Sequence, residues 1–235
     1  MGLRSWLRNY LNRRLGVPSI PIALDRLVAV GFIPDRIFDV GAHNGDFTEM
    51  CLSRWPAAEM ACFEVLEPQL RLLRQKFGKR QSIRIFPALL GAQSRSQVAF
   101  NINDTASSVL TDSSKQAYPV HAYPMMTIDE VVEKHYEGGG PDFLKIDVQG
   151  YELEVLKGAE RSLSSLRVIL IETNLLDIYK DVPLLPEVME WMNARGWTPY
   201  DVCGITRRPL DRALWQADFV FVPSTSKFRA DKRWN

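Results

Sequence analysis

Cysteine is scarce in this 235-residue chain. Its three cysteines, Cys51, Cys62 and Cys203, form no CxxC pair and no metal-type cluster with the three histidines, His43, His121 and His135. An odd count at wide spacing reads as free thiols in a reducing compartment and excludes a zinc site built from these residues. Long apolar runs are missing as well. The stretch from Leu27 to Ile33 stops at Pro34, well short of the ~18 residues a membrane span needs. Near the N-terminus Arg8, Arg13 and Arg14 interrupt any apolar core, so no secretory signal is expected and a cytoplasmic location is. Neither sign of charge dominates: 29 Lys+Arg face 28 Asp+Glu, a net charge of +1. No global field recruits nucleic acid, and any electrostatic function must be local. What is present is ordinary for a folded domain, 46% hydrophobic and 24% charged, with enough chain for one large core.

Residues 1–20 read as a basic amphipathic helical segment. Leu3, Trp6, Leu7, Tyr10 and Leu11 recur at helical spacing among arginines, and Gly16 and Pro18 end it. Such a segment either packs on the domain or makes, through residues 1–15, at most a peripheral contact with a membrane or a partner. Residues 226–235 read as a polar tail. Between them, 21–225 alternate strand-like and helix-like stretches. Strands are expected at Arg36–Val40, Glu59–Phe63, Ile83–Phe86, Phe143–Ile146, Arg167–Ile171, Trp197–Val202 and Asp218–Val222. Strand–helix alternation implies an α/β domain, with a doubly wound, mainly parallel sheet covered on both faces. The roughly 15 residues between the last two strands, with Arg207-Arg208-Pro209, show no amphipathic repeat and suit an antiparallel return. An insertion of about 91–142 interrupts the alternation and is expected to sit over the site. It carries a strand at Gln97–Ile102, a polar loop at Ser107-Ser108, Tyr118 and Tyr123, and a capping box, Thr127-x-x-Glu130, opening a helix. His121 and His135 read as structural.

The most informative stretch is Asp39-Val40-Gly41-Ala42-His43-Asn44-Gly45, where the first strand turns into a helix. Glycines there let the backbone approach a ligand, and the helix N-terminus offers free N–H groups. In an open α/β sheet, ligands bind outside the carboxyl ends of the strands. Glu64 ends the next strand, 19 residues after Gly45, where a carboxylate can accept hydrogen bonds from both hydroxyls of a ribose. The turn is neither GxGxxG nor GxxxxGK[ST], which argues against a nicotinamide-dependent oxidoreductase and a phosphate loop. It fits the acidic-x-Gly-x-Gly-x-Gly pattern of S-adenosylmethionine (SAM) sites, with His43 at the middle glycine.

Three segments carry a resemblance: Gly31-Phe32-Ile33-Pro34-Asp35 with Ile37 to Gly45; Phe63-Glu64; and Asp142-Phe143-Leu144-Lys145-Ile146-Asp147-Val148-Gln149-Gly150-Tyr151-Glu152 running on to Ala159. Together with Val168-Ile169-Leu170-Ile171-Glu172, they make the chain resemble the FkbM-type SAM-dependent methyltransferases over roughly residues 28–175. The family commonly has proline at the Val65 position and glutamate at the Gln149 position. The resemblance implies a class I, Rossmann-like methyltransferase fold of seven strands with an antiparallel last strand. It also implies an O-methyltransferase acting on a hydroxyl of a sugar, glycan or secondary metabolite. The cofactor would be SAM, held by Asp39, Gly41, Ala42, His43, Asn44, Gly45, Glu64, Ala88, Leu89 and Asp147. A non-catalytic protein of this fold in glycan assembly is the competing class.

Methyl transfer from a sulfonium is an in-line displacement, so the acceptor hydroxyl must be aligned and lose its proton. Asp147 ends the fourth strand and Glu172 the fifth, with Asn174 two residues on. Asp147 and Glu172 are candidate bases; alternatively, with Asn174, they hold a divalent cation. The metal-free version is preferred, since no third carboxylate falls at a strand end. Lys145, two residues before Asp147, shares its face and either holds it ionised or makes a structural ion pair. His43 is the other candidate base, or simply closes the turn.

Overall fold

In a computed structural model, residues 14–113, 117–137 and 139–234 are described. The main elements in chain order are α1 (Ile20–Ala29), β1 (Arg36–Val40), α2 (Asp46–Leu52), β2 (Glu59–Phe63), α3 (Glu67–Phe77), β3 (Ile83–Phe86), β4 (Leu89–Leu90), β5 (Arg95–Asn101), β6 (Val120–Met126), α4 (Ile128–His135), β7 (Phe143–Ile146), α5 (Glu152–Lys157), β8 (Val168–Asn174), α6 (Leu185–Ala194), β9 (Trp197–Arg207) and β10 (Leu214–Pro223). The large sheet has seven strands in the order β3-β2-β1-β7-β8-β10-β9, and β10 alone runs against the others. The expected antiparallel return is therefore present.

Side chains alternate across a strand, so each central strand feeds two cores. Ile37 and Phe143 join Leu24, Leu27, Phe47, Trp55, Leu73 and Phe77 on the face covered by α1, α2 and α3. Phe38 and Leu144 join Ile128, Val131, Leu156, Val188 and Met192 on the face covered by α4, α5 and α6. All four residues of β7 are buried, as a strand covered on both sides requires. Phe32, Trp55 and Phe143 meet edge to face at 5.7–6.1 Å, and the Trp55 indole N–H donates to Phe32 O at 2.9 Å. Truncating such a buried ring costs about 3–5 kcal/mol.

Several local expectations change. The start of the chain lies mostly outside the described residues; helical backbone at 14–15 does end at Gly16. Over Ile20–Ala29, where the sequence pattern predicts no helix, Pro21 opens one and Ala23, Leu24 and Leu27 bury its inner face. Only half of the capping box forms: Thr127 accepts from Glu130 N–H at 3.0 Å, while the Glu130 carboxylate turns to Ser94 and Lys134. The expected strand and helix of the insertion form as β5 and α4, but a further strand, β6, joins β5 and the preceding β4 in a three-stranded sheet, β4-β6-β5. The tail is docked at its start, with Phe228 5.9 Å from the Phe32 ring and Arg229 bonded to Thr198 and Pro199. The three cysteines are free and buried, and burial pushes the Cys62 thiol up to about 12. Among the described residues, no helix is long and apolar enough to cross a membrane.

Candidate active site

The carboxyl ends of β1, β2, β7 and β8 open onto one cavity of about 590 Å³. Parallel register puts them there: Val40 pairs with Phe63 on one side and Ile146 on the other, and Ile146 with Ile171. Residues one or two places beyond these pairs share a rim, which is why Gly41, Glu64, Asp147 and Glu172 all line the cavity. Of the other sequence candidates, His43, Ala88 and Leu89 line it too.

Asp39 and Lys145 lie beneath the glycine turn instead of in the cavity. Asp39 is fully buried and accepts from Thr48 Oγ1 at 2.8 Å. Lys145 Nζ stands 3.3 Å from Asp39 and 3.6 Å from Asp147, and donates to Gly41 O at 2.7 Å. Burial acts to lower the Lys145 pKa, but the Asp39 and Asp147 carboxylates outweigh it and the ammonium is held charged. Its position is thus that of a clamp on the turn. A Cβ at Gly41 would fall 1.9 Å from Asp147 O, so glycine is needed where the turn after β1 passes close to the end of β7. His43 has a φ of 47°, consistent with its standing at a glycine position of the pattern. Ala42, Asn44 and Gly45 build the turn without lining the cavity. Asn44 accepts from Asp46 N–H at 3.2 Å, and a Cβ at Gly45 would meet the Phe77 ring at 2.5 Å.

Glu64 faces the cavity with its orientation fixed. One carboxylate oxygen accepts from Val65 and Leu66 N–H at 2.7 and 2.8 Å, the other from His43 N–H at 3.0 Å. The His43 ring lies 3.9 Å from the Asp104 carboxylate. Phe63, Val65, Leu66, Leu89 and Phe100 supply an apolar wall beside Glu64.

Close to Gly41, Gln149 ties the Asp147 and Glu172 carboxylates together. Its amide nitrogen donates to Asp147 Oδ1 at 3.0 Å and to Glu172 Oε2 at 2.8 Å. Its carbonyl accepts from Tyr179 Oη at 3.2 Å, and Gln216 Nε2 donates to Glu172 Oε2 at 2.7 Å. Burial, then the nearby Asp147 charge, raises the Glu172 pKa well above the usual carboxylate range. Burial and Asp147 also raise Asp218, opposite Glu172 on β10, to about 6. The cation alternative built on Asp147, Glu172 and Asn174 meets a different arrangement. A donor, the Gln149 amide, occupies the position between the carboxylates, and Asn174 is fully buried with its carbonyl turned to Gln216 at 3.3 Å. Among the described residues, no three His, Cys, Asp or Glu side chains converge as a cation site.

Sequence reasoning missed Gln149, Tyr179, Trp215 and Gln216. Gln149 has a φ of 58°, unusual outside glycine, and that strained backbone aims its amide between the carboxylates. Only the Gln149-Gly150 dipeptide hinted at such a turn. Tyr118 and Tyr123 do not line the cavity, and Tyr123 packs on Phe100. The insertion reaches the site through Phe100, Asp104 to Ser107 and Val109. The last connection is shorter than expected, because β9 runs on to Arg207 and β10 starts at Leu214.

This mainly parallel sheet, with its ligand-facing turn after β1, is the fold of the class I SAM-dependent methyltransferases. At 16% identity the structure superposes on methyltransferase FkbM of Methylobacillus flagellatus with a TM-score of 0.51, covering 80% of this chain and 43% of that one. A Klebsiella pneumoniae protein assigned to the O-methyltransferases superposes with a TM-score of 0.50 at 15% identity, covering 90% and 86%. The methyltransferase FkbM domain matches residues 39–198, and the chain belongs to that family. It is similar to the hexuronic acid methyltransferase AglP of Haloferax volcanii, 28% identical over 153 residues. That match takes in 64% of this chain and 61% of the archaeal enzyme, so it spans less than two thirds of its relative.

Proposed function

We propose that the protein is a SAM-dependent O-methyltransferase that moves a methyl group to a hydroxyl of a sugar, within a glycan or a small molecule. One observation carries this reading: a single cavity is lined both by nucleoside-type residues, Gly41 and Glu64, and by two carboxylates, Asp147 and Glu172. The nucleoside-type residues fit the cofactor. Glu64 is a preset acceptor for ribose hydroxyls, and the apolar wall of Val65, Leu66 and Leu89 suits a flat base. When bound, SAM supplies an electrophilic methyl group on a sulfonium. The chain's own residues do the rest. Alignment of the hydroxyl can supply ~7–11 kcal/mol of the barrier. Asp147, the more accessible carboxylate, takes the hydroxyl proton. Glu172, half-buried and held by two amides, fixes Gln149 and through it the Asp147 carboxylate. The similarity to a hexuronic acid methyltransferase supports a sugar acceptor. The test is methyl transfer from labelled SAM over a panel of sugars and lipid-linked glycans. Labelled sugar supports the reading. SAM binding with no transfer to any member contradicts it, and points to the non-catalytic class.

A further inference from the structure

The β9–β10 hairpin carries a motif that methyl transfer as described leaves without a role, Arg207-Arg208-Pro209. Both arginines line the cavity, beside Trp215, Tyr179 and Ile178. A register shift between Leu214 and Gln216 puts a bulge at Trp215. Bulges re-aim side chains, and here the adjacent Trp215 and Gln216 both line the cavity.

The two arginines are not equivalent. Arg208 is gripped by Asp211, Nε to Oδ1 at 2.8 Å and Nη2 to Oδ2 at 2.5 Å, so its charge is answered within the turn. Asp211 also accepts from Ala213 N–H at 2.9 Å, and Arg208 N–H donates to Ala213 O at 3.0 Å. These bonds lace the hairpin tip and hold the strand end that presents Arg207. Arg207 itself has no carboxylate within ion-pair range among the described residues. Its guanidinium donates to Arg212 O at 3.0 Å, which leaves most of its five N–H donors for a ligand.

The cavity lining is otherwise acidic: Glu64, Asp104, Asp147 and Glu172 would each repel an anionic group. Among the described lining residues there is no lysine, and Arg207 is the permanent cation without a local counter-ion. We propose that Arg207 anchors an anionic group, carboxylate or phosphoryl, on the acceptor sugar. The ring lies against Trp215, and the reacting hydroxyl points to Asp147. This rests on the sugar methyltransferase reading above. Arg207, Trp215 and Gln216 fall outside the matched segment 39–198.

The test is NMR titration of the protein saturated with S-adenosylhomocysteine, using methyl glucuronide, glucose 6-phosphate and methyl glucoside. The wild-type chain should bind at least one anionic sugar about 10- to 100-fold tighter than the glucoside, the range for charge-assisted hydrogen bonds. The two anionic arms tell carboxylate from phosphoryl. R207Q should erase the preference while leaving the glucoside and S-adenosylhomocysteine affinities within two-fold, and R207E should exclude the anionic sugars. Arg207 is exposed with one side-chain bond, so both variants should fold, checked by their melting temperatures. Equal wild-type binding of charged and neutral sugars, or equal loss of both in R207Q, overturns the anchor and leaves the sugar reading standing. Normal S-adenosylhomocysteine binding with no sugar bound overturns both. Failure to bind S-adenosylhomocysteine overturns the methyltransferase reading and the anchor with it.

Discussion

Replacing Gln149 by glutamate changes one atom type between the Asp147 and Glu172 carboxylates. Gln149 Nε2 donates to Asp147 at 3.0 Å and to Glu172 at 2.8 Å; Q149E turns that donor into an acceptor. Burial holds Glu172 protonated at pH 5, so its bond to Gln149 is a neutral one, worth about 0.5–1.5 kcal/mol. A protonated carboxyl at position 149 keeps the bond to Asp147 and loses the other, so Q149E should be less stable than wild type by about 0.5–1.5 kcal/mol near pH 5. Once ionised, it faces a like charge at roughly 4 Å, worth about 4 kcal/mol at an effective dielectric constant of 20. The new carboxyl should therefore have a folded-state pKa raised above its unfolded value near ~4.3. The folded state then binds the extra proton, and stability is lost as pH rises through the window between those two values. The gap to wild type should widen by about 2–4 kcal/mol at pH 8. Urea denaturation of both proteins at pH 5 and pH 8 measures it, with the wild-type curve subtracting the pH response of Glu152, Glu172 and Asp218. Millimolar Mn²⁺ should also raise the Q149E midpoint, because three carboxylates would then converge on one point. A pH-independent gap, or none, would refute the bridging role assigned to Gln149.

Glu64→Gln keeps a carbonyl for the Val65 and Leu66 amides but loses charge, and Glu64→Ala removes the acceptor altogether. Calorimetry with S-adenosylhomocysteine should show weakening by about 1.5–3 kcal/mol in E64A and less in E64Q; unchanged affinity would detach Glu64 from the cofactor. Burial raises the Glu152 carboxyl from 4.5 to about 7, against the backbone N–H groups of Gly150 and Val148 that it accepts. Its folded pKa is raised, so it withdraws stability as pH climbs from 4.5 to about 7, by up to roughly 3 kcal/mol. E152Q should flatten denaturation midpoints across that window, and a slope identical to wild type would contradict the assignment.

Much of the site was legible because a parallel sheet aligns strand ends. Gly41, Glu64 and Asp147 directly follow strands that the sequence shows, and the register brings them with Glu172 to one cavity; Asp39 lies inside β1, and Glu172 does not end its strand as expected, because β8 runs on to Asn174. What stayed hidden depends on pairings between distant segments. Gln216 reaches Glu172 across 44 positions, and Tyr179 reaches Gln149 across 30. No local periodicity encodes either contact. The length of β9 is set by its partner: Thr198 to Val202 carry a strand pattern alone, but Gly204 to Arg207 are strand only because β10 runs beside them. Lys145 was read against Asp147, its neighbour in sequence; its shorter ion pair is with Asp39, fixed by the β1–β7 register that pairs the two residues. The second sheet was missed because β4 has two residues and pairs with β6 some 36 positions later.

Asp147 is proposed to remove the acceptor proton without contributing to cofactor affinity. Asp147→Asn, assayed with labelled SAM and an acceptor identified from the sugar panel, tests it most directly. In D147N kcat should fall by ~10²-fold or more and S-adenosylhomocysteine affinity measured by calorimetry should stay within two-fold, while chelators should leave wild-type turnover unchanged. Full turnover in D147N would contradict it and make His43 the base to test. Loss of wild-type activity to a chelator, restored by Mg²⁺ or Mn²⁺, would contradict it in favour of a bound cation.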